Sequence, residues 1–127
     1  MAELLTGIRI VYVEDDDDMR EVWEQTLTHL GATVITVSSA RAALDAVADA
    51  DIVVTDFALP REDGVWLLEQ VSQQPRPVPV IAVSGFAEAH IPRLAQAAFA
   101  RKLLKPIDSL EVARVVLEVL SGRPDQL

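Results

Sequence analysis

The chain has 127 residues, 50% of them apolar and 24% charged, which suits one domain with a core of its own and leaves little room for a second. Zero cysteines exclude a disulfide framework, thiol catalysis and any cysteine-based zinc or iron–sulfur site. Eleven basic against twenty acidic residues give a net charge of −9, which repels phosphate backbones and argues against nucleic acid as a direct partner.

Residues 1–7 read as a short N-terminal extension with no basic stretch leading into a long apolar one, so no secretory signal is expected. Residues 8–13 are β-branched and aliphatic and predict a first strand, which runs into Glu14-Asp15-Asp16-Asp17-Asp18. Met19, Val22, Trp23, Thr26, Leu27 and Leu30 fall on one helical face, with Gly31 as the stop. Residues 32–37 predict a second strand, and Ala40, Ala43, Leu44 and Val47 the face of a second helix. The third strand, residues 51–55, delivers Asp56, followed by Phe57-Ala58-Leu59-Pro60. Gly64 serves the turn into a third helix carrying Leu67, Leu68 and Val71. Residues 78–83 predict a fourth strand that ends in Ser84-Gly85. Pro92 lies where a fourth helix should run and fits within its first turn. The fifth strand, residues 99–104, carries Arg101 and Lys102, which suits an exposed edge, and leads to Lys105-Pro106. Asp108 and Ser109 are cap candidates for a last helix with Leu110, Ala113, Val116, Leu117 and Leu120 inward. Residues 122–127 read as a polar tail beyond a domain spanning residues 8–121.

Five strands alternating with helices predict an α/β fold, a parallel sheet covered by helices on both faces. The runs IVYV, IVV and VIAV are apolar without alternation, as strands buried on both sides should be. No apolar run approaches a membrane span, so the protein is expected to be cytoplasmic, with no membrane partner.

Ligands of open α/β sheets bind at the carboxyl ends of the strands. Here those ends carry Glu14 and Asp15, then Asp56, Ser84 and Lys105. Capping of the following helix accounts for Asp17 and Asp18, but not for Glu14 and Asp15, which abut a buried strand facing Asp56. Like charges about 4 Å apart repel by about 4 kcal/mol at an effective dielectric near 20. A hard divalent ion with oxygen ligands, Mg²⁺, resolves that conflict. An aspartate can take up a phosphoryl group as an acyl phosphate, and such transfer needs mainly positioning and charge neutralisation. Asp56 is then the central acceptor, Glu14 and Asp15 the metal-binding acids, Ser84 a hydroxyl donor and Lys105 a fixed cation. His29 and His90 lack the exposed four-helix setting of a phosphodonor histidine and read as surface residues, while Trp23 and Trp66 read as packing residues.

The segments IVYVEDDDDMRE, DIVVTDFALPREDG, PVIAVSG and LLKPID, in that order, resemble the signature blocks of the receiver domain of two-component response regulators. The resemblance covers nearly the whole chain and implies a flavodoxin-like (βα)5 fold with strand order 2-1-3-4-5. It implies that Asp56 is phosphorylated by a sensor histidine kinase or phosphotransfer protein, and that an unknown downstream protein reads the result through a conformational switch. It also implies that Mg²⁺ is held by Asp15 directly, by Glu14 through water, and by Asp56 and the backbone carbonyl of Ala58. Ser84 and Lys105 would bind the phosphoryl group, and the Lys105–Pro106 bond would be cis. Such a protein is not an enzyme beyond its own phosphorylation and dephosphorylation. The face of the fourth helix, fifth strand and fifth helix would serve homodimerisation. Three departures stand out. Lys102 occupies the place of the aromatic switch residue, Pro92 suggests a remodelled fourth helix, and Ala58 and Phe86 flank the site where a polar side chain would orient water. The last implies slow self-hydrolysis of the phospho-form.

Two other functions fit the sequence less well. A phosphohydrolase of the haloacid dehalogenase type would need a second aspartate two residues beyond Asp56, where Ala58 stands. A flavin-binding module would need a hydroxyl- or glycine-rich phosphate loop after the first strand, where EDDDD would repel the phosphate. Whether the chain acts alone or as a piece of a longer regulator or hybrid kinase stays open.

Overall fold

The apolar runs become five parallel strands in the computed structural model, which describes residues 3–122. They are β1 (Arg9–Val13), β2 (Thr33–Val37), β3 (Ile52–Asp56), β4 (Val80–Ser84) and β5 (Arg101–Leu104), arranged in the order β2-β1-β3-β4-β5. Helices α1 (Asp17–His29), α2 (Ala40–Ala46), α3 (Gly64–Ser72), α4 (Pro92–Ala95) and α5 (Ser109–Leu120) alternate with them. β4 starts two residues later than expected because Pro77 and Pro79 have no N–H to give a ladder. β5 also starts two residues late, since Phe99 turns into the layer between helices and sheet instead. β3 runs one residue further than expected and takes Asp56 into the strand.

Successive residues of a strand face opposite sides, and the two sides here have separate cores. Ile10, Tyr12, Ile52, Val54, Ile81 and Val83 pack with α1 and α5. Val11, Val13, Val53 and Val80 pack with α2 and α3. Phe57, Val65, Ala82 and Leu94 extend the second side beneath α4. Asp16, Ser39, Asp63 and Asp108 each accept a backbone N–H in the first turn of the helix they cap.

Two helical stripes differ from their expected registers. In α1 only Trp23 and Leu27 are buried, with Leu30 just past its end, whereas Met19 and Val22 are 41% and 56% exposed. Burial begins only at Trp23, in the second turn of the helix. In α5 the buried stripe is Val112, Ala113, Val115 and Val116, leaving Leu110 and Leu120 exposed.

The turn of residues 3–7 is part of the packing. Leu5 is fully buried in the α1/α5 core, and its N–H donates to the Leu30 carbonyl at 2.8 Å. Gly31, at φ +106°, closes α1 against this turn, since a Cβ there would sit 2.7 Å from Thr6 Oγ1. Leu5→Ala is therefore expected to lower unfolding free energy by about 2–5 kcal/mol in urea titrations. An unchanged midpoint would show that the segment is an appendage.

Candidate functional site

Period and register place the acids. Tyr12 faces the α1/α5 side, so Glu14, two residues on, faces it as well. Ile52 and Val54 share that side on β3, and so does Asp56. Val13 pairs with Thr55, which sets Glu14 beside Asp56 at the carboxyl end of the sheet. Carboxylate oxygens of Glu14, Asp15 and Asp56 all lie within 4.8 Å of one another. Glu14 and Asp56 are buried and Asp15 is exposed. The Lys105 Nζ lies 2.9 Å from Asp56 Oδ1. This is an ion pair off the line of a hydrogen bond, and Oδ1 has no hydrogen-bonding partner.

Burial, and then the charge of Asp56, pushes the Glu14 carboxyl above the usual carboxylate range. Burial pushes Asp56 the same way, and the Lys105 ammonium offsets only part of this. Burial works against the charge on Lys105, yet Asp56 holds the ammonium above its ordinary value. A ring of three oxygen-donor acids, two of them buried and offset by a single ammonium, fits a hard divalent cation.

The surroundings fix Glu14 tightly. Tyr12 Oη donates to Glu14 Oε1 at 3.3 Å, the Asp16 N–H donates to Oε2 at 3.2 Å, and Arg20 Nη1 donates to the Glu14 carbonyl at 2.9 Å. Burial and the neighbouring Glu14 push the Tyr12 phenol upward, so it is a permanent donor. Trp23 stacks on Tyr12 with ring centroids 4.9 Å apart, consistent with the packing role expected for it. Tyr12 and Arg20 are site residues that sequence reasoning passed over, although Tyr12 has the parity of Glu14 and Arg20 lies one helical turn from Asp16. Tyr12, Trp23, Met19, Pro106 and Ile107 line a cavity of about 400 Å³ that opens on Asp56 and Lys105.

Ser84 is buried at the end of β4, one residue beyond Val83, the partner of Asp56 across the ladder. Ala58 is exposed two residues past Asp56. Phe86 is 71% exposed and meets His90 edge-on, so it faces solvent rather than Asp56. His29 and His90 are both exposed. The Lys105–Pro106 peptide is cis. α4 is a single turn with Pro92 at its start, and Lys102 Nζ donates to the Ala95 carbonyl at its end at 2.7 Å. Gly64 needs its missing side chain, because a Cβ would lie 3.0 Å from the Asp56 carbonyl oxygen and 3.1 Å from Phe57 Cα. Close approach, rather than the freedom of a turn, accounts for glycine there.

Residues 10–117 match the family model of the response regulator receiver domain. The DNA-binding transcriptional regulator NtrC of Klebsiella pneumoniae is 32% identical over 90% of this chain, which spans 25% of that protein. An uncharacterized 14.6 kDa protein of Leptolyngbya boryana is 31% identical, covering 96% of this chain and 97% of that one. A CheY-like response regulator receiver domain from Methylobacillus flagellatus superposes with a TM-score of 0.76 at 28% identity, over 88% of this chain and 98% of that one.

Because the acids repel, divalent cation should stabilise the folded chain. Mg²⁺ at a hundred times its dissociation constant is expected to add about 2.7 kcal/mol, read as a rise in thermal midpoint that Asp15→Asn abolishes. A midpoint indifferent to Mg²⁺ would exclude the metal site.

Proposed function

The chain belongs to the response regulator receiver domain family, and from that membership we propose that it accepts a phosphoryl group on Asp56 and signals by a conformational switch. The donor is the phosphohistidine of a sensor histidine kinase or phosphotransfer protein. The observation that carries this reading is the 2.9 Å approach of Lys105 Nζ to Asp56 Oδ1 within a ring of three acids. A carboxylate alone is a poor phosphoryl acceptor, since negative charge meets negative charge; a fixed ammonium and an oxygen-ligand site remove that barrier.

In the proposed reaction an Asp56 oxygen attacks phosphorus as the bond to the histidine nitrogen breaks, and the electron pair leaves with the imidazole. Lys105 binds one phosphoryl oxygen and the Ser84 hydroxyl donates to another. Asp15, Asp56, the Ala58 carbonyl and, through water, Glu14 would hold Mg²⁺, which would supply charge neutralisation at the transferring group. Tyr12, the Asp16 amide and Arg20 hold Glu14 in place for this. The donor approaches over the first turn of α1, where the exposed Met19 leaves an apolar edge on the cavity.

NtrC and the regulator of RpoS are regulators rather than classical enzymes in name. The chain spans a quarter to a third of NtrC and of the regulator of RpoS from Escherichia coli, so their whole-protein activities do not carry over. Residues 8–121 form the receiver unit in this reading, and the turn of residues 3–7 goes with it because Leu5 is core. The tail from residue 123 onward lies outside the described residues. No helix among the described residues is long and apolar enough to cross a membrane. We assign the protein to the cytoplasm on its family and leave homodimerisation to the α4–β5–α5 face, where Leu104 is exposed.

Acetyl phosphate with Mg²⁺ is expected to add one phosphoryl group by intact-protein mass spectrometry, and none in Asp56→Asn or with chelator. Lys105→Ala should slow the labelling by about a hundredfold, the scale set by losing one preorganised charge. Absence of any adduct on the native chain would overturn the reading. The phospho-form should last minutes or longer, because neither Ala58 nor the outward-facing Phe86 orients a water. Ala58→Asn should shorten that lifetime, and a native lifetime of seconds would contradict the assignment of these two residues.

A further inference from the structure

Beyond Ser84 the chain turns through Gly85 into a short 3-10 turn, Glu88–His90, that leads to α4. Glu88 Oε1 reaches back and accepts the Gly85 N–H at 2.8 Å. The direction of that amide follows from the ladder. The Phe57 N–H donates to the Val83 carbonyl, so Val83 turns its backbone toward β3. The Lys105 N–H donates to the Ser84 carbonyl, so Ser84 turns toward β5. Continuing the alternation, the Gly85 N–H faces the β3 side, where Asp56 ends its strand. A half-buried carboxylate therefore occupies a main-chain donor on the acceptor's side of the sheet end. Its charge is felt there, because Glu88 pushes both the Asp56 carboxyl and the Lys105 ammonium upward, in each case behind larger contributions from burial and from the Asp56–Lys105 contact.

We propose that the Glu88 carboxylate holds the seat of a phosphoryl oxygen at the Gly85 N–H, and that phosphorylation of Asp56 displaces it. This rests on the phosphoryl-acceptor reading above and adds a competitor within the chain. A phosphoryl oxygen and a carboxylate oxygen are both anionic acceptors for one amide, and repulsion prevents them from sharing it. When an Asp56 oxygen bonds phosphorus and the leaving group takes the electron pair of its own bond, the new dianion takes the Gly85 amide and Glu88 swings out. The displacement reaches α4 directly. The Ala89 N–H is bonded to the Gly85 carbonyl at 3.2 Å and the Ile91 N–H to the Glu88 carbonyl at 2.9 Å, so the donor and the carboxylate that occupies it both belong to the turn that starts the helix, and losing their bond removes one of its ties. Glu88 is thus a positioning residue that opposes modification and couples it to the α4 segment.

The test compares native chain, Glu88→Ala and Glu88→Gln in acetyl phosphate and Mg²⁺, with labelling followed by mass and the Gly85 amide followed by NMR. Glu88→Ala should be labelled about three- to tenfold faster, the scale of a hydrogen bond to a charged group after discount for partial exposure. Glu88→Gln, which keeps an acceptor oxygen but no charge, should gain less. Beryllium fluoride with Mg²⁺, a phosphoryl mimic on carboxylates, should move the native Gly85 amide resonance and the Glu88 side-chain carbonyl together. In Glu88→Ala the unliganded Gly85 resonance should already be displaced. Native chain that is labelled, with both variants at or below its rate, would overturn the proposal and leave the receiver reading standing. Native chain that takes no label would overturn both.

Discussion

Everything at the carboxyl end of the sheet is arranged around one electrostatic conflict. Adjacent parallel strands carry Glu14 and Asp56 on the same face, and the exposed Asp15 joins them from the rim. Burial makes that crowding more severe, since each charge has lost water that would have screened it. The chain supplies one opposing charge from a distant strand end, Lys105, and leaves one acceptor oxygen without a hydrogen bond. A site built this way is unsatisfied by itself, and in the proposed reading a divalent cation and a phosphoryl group complete it. That imbalance is the physical basis of its chemistry.

The support around the conflict is more rigid than the conflict itself. Glu14 is held at both carboxylate oxygens and at its carbonyl, and the ring that donates to it is stacked on Trp23. Asp63 has a similar double duty on the other side of the acceptor, capping α3 while pairing with Arg93 of α4 at 3.1 Å. Partial burial disfavours its charge, but Arg93 and the helix amides outweigh this and keep the carboxyl below the usual range. Among the neighbours of the acceptor, the segment from Gly85 to α4 contributes only Leu94 to the buried core, against the many residues of α1 and α5 on the opposite face. Fewer buried contacts mean a lower local stability, so this segment is the natural place for change.

Much of this was legible in the sequence, for a definite reason. Strand ends in a parallel sheet are punctuated by abrupt changes from β-branched runs to charged or small residues, so Glu14, Asp15, Asp56, Ser84 and Lys105 could be placed by reading where the runs stop. The strand order and the two-sided cover followed from the same alternation together with the resemblance. What stayed hidden depended on distances between side chains. Tyr12 looked like one more core residue of a strand, because apolar context conceals a hydroxyl with a single task. Glu88 was passed over because no helical turn was expected directly after Ser84-Gly85, although a glutamate three residues after a helix start has the spacing to return to its backbone N–H. Met19 and Val22 fitted the helical period but not the burial, since a period shows which face a residue shares and not whether anything lies beneath it. Residues 3–7 read as an extension because two adjacent leucines set no strand or helix period, yet Leu5 is fully enclosed.

The clearance at Gly64 has a mechanical meaning. The start of α3 rests within about one methyl group of the main chain that carries the acceptor, against the Asp56 carbonyl and Phe57 Cα. With no side chain between them there is no soft spacer to absorb a shift. Helix and strand are thus seated together like a bearing without a gasket, so drift in the α3 layer would arrive undamped at the Asp56 carboxylate, and strain there would pass outward by the same route.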